Sequence, residues 1–154
     1  MLALFAFGAA SFAAGIGGFV FRPGNWYQRL DKPSWRPPDW LFAPVWTFLY
    51  ATIALAGWLV WRKTGFEGAV LPLSAYAIQL LLNAAWSPIF FGLHRIGWAL
   101  VEMVLLWLSI VATIILFYPI HPAAAAVLMP YLCWVSFALL LNLSVWRRNS
   151  VLPS

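Results

Sequence analysis

The chain has 154 residues, of which 64% are hydrophobic and 8% charged, with a formal net charge of +5. At a mean hydropathy of +0.87 it has too few charged side chains to clothe a water-soluble domain, so composition assigns an integral membrane protein. The basic residues sit in loops and tails, which favours membrane topology over nucleic-acid binding.

Five apolar segments predict transmembrane helices at 2–21, 40–61, 69–91, 96–118 and 123–146. Each is long enough to cross roughly 30 Å of hydrocarbon. The expected fold is all-α: one membrane domain over 1–154, a five-helix bundle with a long Trp/Pro-rich loop between helices 1 and 2.

The first segment has no basic n-region and is expected to be a retained span, not a cleaved signal. It carries Ala6, Ala10, Ala14 and Gly18 at four-residue spacing, widened by Gly8, Ser11 and Gly15. Such a strip lets helix backbones approach closely, either within one bundle or across a dimer seam. Arg22-Pro23-Gly24-Asn25 ends it. The loop 22–39 follows, stiffened by Pro33, Pro37 and Pro38, and Asp39 is the expected N-cap of the second span. That span carries Trp46 and Tyr50 one turn apart and ends at Arg62-Lys63-Thr64-Gly65.

The third span places Gln79, Asn83 and Trp86 on one face, and Ser87-Pro88 predicts a kink near its end. The fourth holds Glu102, the only intramembrane carboxyl. The fifth bears the stripe Trp134, Ala138, Leu141, with Asn142 beside it, a kink expected at Pro130, and Cys133 expected as core filler. One cysteine excludes an intrachain disulfide.

Counting Lys and Arg sets the orientation. The side of the N-terminus holds Arg62 and Lys63; the other side holds Arg22, Arg29, Lys32, Arg36, Arg95, Arg147 and Arg148. The positive-inside rule therefore places loop 22–39 and the C-terminus in the cytoplasm and the N-terminus outside. His94 and His121 lie on opposite sides and cannot share a metal. There is no zinc spacing, phosphate-cradling loop or nucleophilic triad, and Gly15-Ile16-Gly17-Gly18 lacks the dinucleotide pattern. One buried ionisable residue is too few for a charge-driven ion pump.

Amides, one carboxyl and several aromatics thus concentrate in the cytoplasmic half of the bundle, beneath the Trp/Pro-rich loop. Polar groups in hydrocarbon face inward, and inward polar groups among aromatic walls are the ingredients of a small-molecule site. The same residues also have plainer uses. Asn83 and Gln79 serve equally as interhelical hydrogen-bond glue, and Glu102 as a bond to a neighbouring helix. Trp35, Trp40, Trp58, Trp61, Trp98 and Trp146 lie near span ends, where an aromatic belt is expected.

"WYQRLDKPSWRPPDW" (26–40) with "PVWTFLY" (44–50), "IQLLLNAAWSPIFFG" (78–92), "WALVEM" (98–103), "PYLCWVSFALLLN" (130–142) and "VWRRN" (145–149) resemble, in order, the signature of the TspO/translocator-protein family. Its members are also called tryptophan-rich sensory proteins or peripheral-type benzodiazepine receptors. The resemblance implies a five-helix bundle, usually a homodimer, whose pocket is closed by the first long loop. It implies porphyrins such as protoporphyrin IX, sterols such as cholesterol, isoquinoline carboxamides and benzodiazepines as ligands, with no required cofactor. The pocket residues it carries over are Trp26, Tyr27, Pro37, Phe42, Trp46, Tyr50, Asn83, Trp86, Trp134, Ala138 and Leu141. Gln79 joins them from its place on the face of Asn83.

The expected function is a membrane sensor or carrier for porphyrins. The alternatives are light- and oxygen-dependent porphyrin breakdown with Trp46 and Trp134 as the catalytic candidates, a sterol or porphyrin transporter, and a purely structural role. In the family's sterol-linked motif an aromatic stands where this chain has Leu143 and Ser144, although Arg147 is kept. The small-residue strip of some bacterial dimers lies on span three, whereas the clearest strip here is on span one. The inner membrane is the expected location, with membrane lipid as the surrounding partner.

Overall fold

The computed structural model describes residues 1–21 and 23–150, Phe19 by its backbone alone; Arg22 of the loop's basic set and the last four residues lie outside the described residues. The chain runs α1 (Leu2–Ala14), α2 (Ile16–Val20), α3 (Asn25–Arg29), α4 (Asp39–Thr64), α5 (Val70–Ser87), α6 (Ile96–Phe117), α7 (Pro122–Val127) and α8 (Met129–Asn149). A 3₁₀ turn at Glu67–Ala69 leads into α5, and a π turn at Pro88–Gly92 leaves it. Among the described residues, four continuous helical stretches are long and apolar enough to cross a membrane: Asp39–Thr64, Glu67–Gly92, Ile96–Phe117 and Pro122–Asn149. Leu2–Gly18 is a shorter apolar helix. The protein is an all-helical integral membrane bundle.

Local chemistry explains where the helices depart from the sequence expectation. The first span divides at Gly15, where the backbone tightens to i→i−3 bonds from Gly15 to Phe12 and from Gly18 to Gly15, both 3.0 Å. Three glycines in four positions (15, 17 and 18) weaken helix propensity there. Pro88 cannot donate to the helical ladder, and the turn after it widens to π geometry: Leu93 N–H reaches back to Pro88 O at 2.9 Å. The fifth segment breaks at Leu128, just ahead of Pro130. Upstream, the His121 imidazole caps α7 by accepting from Ala124 N–H at 3.2 Å. Asp39 is not the N-cap expected. It is the first residue of α4, after Pro38, and its carboxylate pairs with Arg36 at 3.5 Å. An acidic residue in the first turn still complements the helix dipole.

α5 packs along α6, α6 along α8, and α1 along α4. Gly57 of α4 permits the last contact: a Cβ there would stand 2.6 Å from Tyr76 and 2.8 Å from Phe7. Tyr76 uses the opening to donate its hydroxyl to Ile53 O at 2.8 Å, with Ser11 Oγ 3.4 Å away. Of the α1 strip, Ser11 and Ala14 are buried within the bundle, whereas Ala6 and Ala10 face outward. Trp107 of α6 donates to Ser136 of α8 at 2.8 Å. Cys133 is exposed on the outer face of α8, not core filler, because Val135 and Tyr131 occupy the inward positions.

Candidate ligand site between the helices

Four side chains form one hydrogen-bonded chain through the bundle. Tyr50 donates to Asn83 Oδ1, Asn83 Nδ2 donates to the Tyr131 hydroxyl, and Tyr131 donates to Gln79 Oε1, each at 2.9 Å. The chain links α4, α5 and α8. Gln79 and Asn83, one turn apart on α5, and Tyr131 of α8 are all buried. Gly15, between α1 and α2, closes over Tyr50, where a Cβ would lie 2.6 Å from the ring. A second amide bond sits nearer the loop: Trp86 Nε1 donates to Asn142 Oδ1 at 3.1 Å, and Asn142 Nδ2 to Ile96 O at 3.3 Å.

Aromatic rings surround these polar groups in two clusters. In the first, Trp46 lies 5.4 Å from Tyr50 and 6.4 Å, edge-on, from Tyr131, and Phe42 meets Trp134 edge-on at 5.7 Å. Ala138 packs here too. In the second, Phe90 gathers Trp26 at 5.7 Å, Tyr27 at 6.2 Å and Trp86 at 4.9 Å, with Leu141 against the same core. Trp86 belongs to both clusters. Eleven of the twelve residues singled out in the sequence thus fall into two neighbouring groups. Pro37 belongs to neither and lies half-buried in the loop. Tyr131, the centre of the polar chain, was not singled out; its signal was its place on α8, three and seven residues before Trp134 and Ala138.

The loop is fastened at Trp26 and at its middle, Asp31 and Lys32. Lys32 caps α3, donating to Tyr27 O at 2.7 Å and Leu30 O at 3.2 Å, with its ammonium 4.6 Å over the Tyr27 ring. Asn149 of α8 grips Asp31 twice: its Oδ1 accepts from Asp31 N–H at 3.0 Å, and its Nδ2 donates to Asp31 O at 2.9 Å. Arg148 adds an ion pair to Asp31 at 3.6 Å. Trp26 stacks on His94 at 4.2 Å. Burial, reinforced by the Asp39 carboxylate, pushes the Tyr27 phenol above its ordinary range against a smaller opposing pull from Arg36.

Several buried polar atoms have no hydrogen-bond partner among the described residues: Gln79 Nε2, Trp134 Nε1 and both carboxylate oxygens of Glu102. Each is costly unless something else satisfies it. Between α4 and α8 an open groove of about 380 Å³ reaches Trp134, walled by Val45, Phe48, Leu49, Pro130 and Phe137. Among the described residues no cluster of three His, Cys, Asp or Glu is placed to hold a metal.

Fold and site together define a helical membrane protein with an aromatic, amide-bearing interior beneath a fastened loop. A profile of the TspO/MBR family matches residues 3–147, and the chain belongs to that family. It is 47% identical over 127 residues to the translocator protein of Sus scrofa, covering 81% of this chain and 75% of that one. It is 44% identical over 153 residues to the protein CrtK of Rhodobacter capsulatus, covering 96% and 94%. It is 38% identical over 141 residues to the tryptophan-rich sensory protein of Cereibacter sphaeroides, covering 92% and 87%.

Proposed function

We propose that the protein is a membrane sensor or carrier that binds porphyrin-type tetrapyrroles, such as protoporphyrin IX, between α4, α5 and α8 under the loop. The observation that carries this reading is the pair of buried, unpartnered donors, Trp134 Nε1 and Gln79 Nε2, among aromatic walls. A flat macrocycle with peripheral acceptors meets both needs: rings to stack on, and oxygens or nitrogens to accept from the bare N–H groups. Asn83 is held on both sides by tyrosines, so its part is to fix Tyr50 and Tyr131 as rigid walls. The groove between α4 and α8 offers a lateral route from the bilayer to Trp134. The ligand needs no further cofactor. The protein sits in the inner membrane as a homodimer, with the loop on the cytoplasmic side.

The experiment is a protoporphyrin IX titration followed by tryptophan quenching in detergent, first in darkness and then under timed illumination. Saturable dark binding is expected, weakened roughly three- to tenfold in Trp46→Phe/Trp134→Phe. Equal affinity in that variant would displace the site from these walls. Porphyrin loss under light that needs the protein, oxygen and both rings would instead make the protein an enzyme.

A further inference from the structure

A second groove lies outside the bundle, where the loop meets the end of α8. It measures about 660 Å³ and is walled by Trp35 of the loop and by Phe137, Leu140, Leu143, Arg147 and Arg148 of α8, with Ser144 among them. Trp35 and Phe137 close one end, edge-on at 5.6 Å. The composition is graded along the helix: apolar from Phe137 to Leu143, then a hydroxyl, then two guanidinium groups. Phe137 to Arg147 covers about 15 Å at the rise of an α-helix, the depth from headgroups well into the acyl region.

The charges are disposed to receive an anion. Arg147 forms no ion pair among the described residues; Arg148 donates from Nε to Ser144 Oγ at 3.4 Å and pairs with Asp31 at 3.6 Å, the two charged side chains well exposed. Such an exposed pair is weak and readily exchanged. We infer that this groove seats one anionic phospholipid, its phosphate at Arg147 and Arg148 and one acyl chain along Leu143, Leu140 and Phe137. Guanidinium groups match phosphate oxygens in geometry as well as charge. A neutral sterol has a single hydroxyl and would leave Arg147 without a counter-charge. The open side of the groove suits a flexible chain better than a rigid ring system.

Native mass spectrometry of the purified protein in neutral detergent tests this, with dioleoylphosphatidylglycerol, dioleoylphosphatidylcholine, cholesterol and inorganic phosphate as separate probes. One phosphatidylglycerol should be retained in preference to phosphatidylcholine and cholesterol. Arg147→Gln should weaken it about fivefold, and Arg147→Gln/Arg148→Gln about thirtyfold. Arg62→Gln, which removes one exposed cation from the opposite end of the bundle, should leave retention unchanged. If the double variant fails to fold, Arg147→Gln alone decides, because that side chain pairs with no acidic residue among the described residues. Equal retention of phosphatidylcholine or of cholesterol overturns the proposal. So does equal loss in Arg62→Gln and Arg147→Gln, or displacement of the lipid by inorganic phosphate at matching concentration.

Discussion

Tyr131 is the residue on which the buried polar chain turns. Its hydroxyl accepts from Asn83 and donates to Gln79, whereas the Tyr50 hydroxyl satisfies Asn83 alone. Removing the Tyr131 oxygen strands a donor and an acceptor; removing that of Tyr50 strands one acceptor. A stranded buried group costs about 1–3 kcal/mol, toward the lower end where other partners exist in a membrane. Tyr131→Phe should therefore destabilise the bundle about twice as much as Tyr50→Phe in detergent-denaturation curves, and equal losses would mean that Gln79 finds another donor. The sequence showed half of this arrangement. Gln79 and Asn83 were legible as amides sharing a face of a span, because that follows from helical spacing alone. Their partner on α8 was not, because which tyrosine reaches Asn83 depends on how three helices pack. Glu102 was legible as a buried carboxyl, but not as one left without a partner.

Elements were legible where chemistry is local and misread where packing intervenes. The apolar lengths of α4, α5 and α6 and the disturbed ladder at Pro88, a π turn where a kink was expected, follow from hydropathy and a missing N–H. The break at Gly15 was only half legible: the neighbouring glycines weaken the helix locally, but the close seat of Tyr50 against Gly15 shows only in the packing. The same close approach makes glycines of equal propensity unequal in effect. At Gly57 a methyl would strike Tyr76 and Phe7, while at Gly8 nothing lies within 4 Å. Gly57→Ala should cost about 1–3 kcal/mol by overpacking, and Gly8→Ala should be neutral or gain up to about 1 kcal/mol of helix propensity. Denaturation curves that move alike would show that α1 does not pack on α4 as described.

The loop helix α3 gives a pH prediction. A phenol whose pKa is raised by folding adds stability in full below its unfolded value, near 10, and loses it as pH rises through the folded value. Raising the pH from about 9 to about 11 should therefore speed proteolysis of the loop in the wild type more than in Tyr27→Phe. Identical acceleration in both would remove Tyr27 as the cause.

For the whole molecule, the question left by the helix lengths is whether the first segment crosses the bilayer. Leu2–Val20 covers about 28 Å, close to the hydrocarbon thickness, even with its break at Gly15. With five crossings the termini lie on opposite sides; with four and a first segment that fails to cross, they lie on the same side. The charge count is independent of that question. Arg147 and Arg148 stand at the end of α8, and Arg62 and Lys63 at the far end of α4. By the positive-inside rule, the basic excess at the α8 end predicts that this end lies inside. Cysteine accessibility in intact cells settles both points, because the native Cys133 can first be replaced by Ala on the outer face of α8. In that background Leu2→Cys and Thr64→Cys should react with a membrane-impermeant maleimide from outside, and Ser150→Cys only after permeabilisation. Outside labelling at Ser150 and not at Leu2 would invert the orientation. Labelling at Thr64 alone before permeabilisation would keep the orientation but reduce the crossings to four, and α1 would then be a segment that leans on α4 without traversing the bilayer.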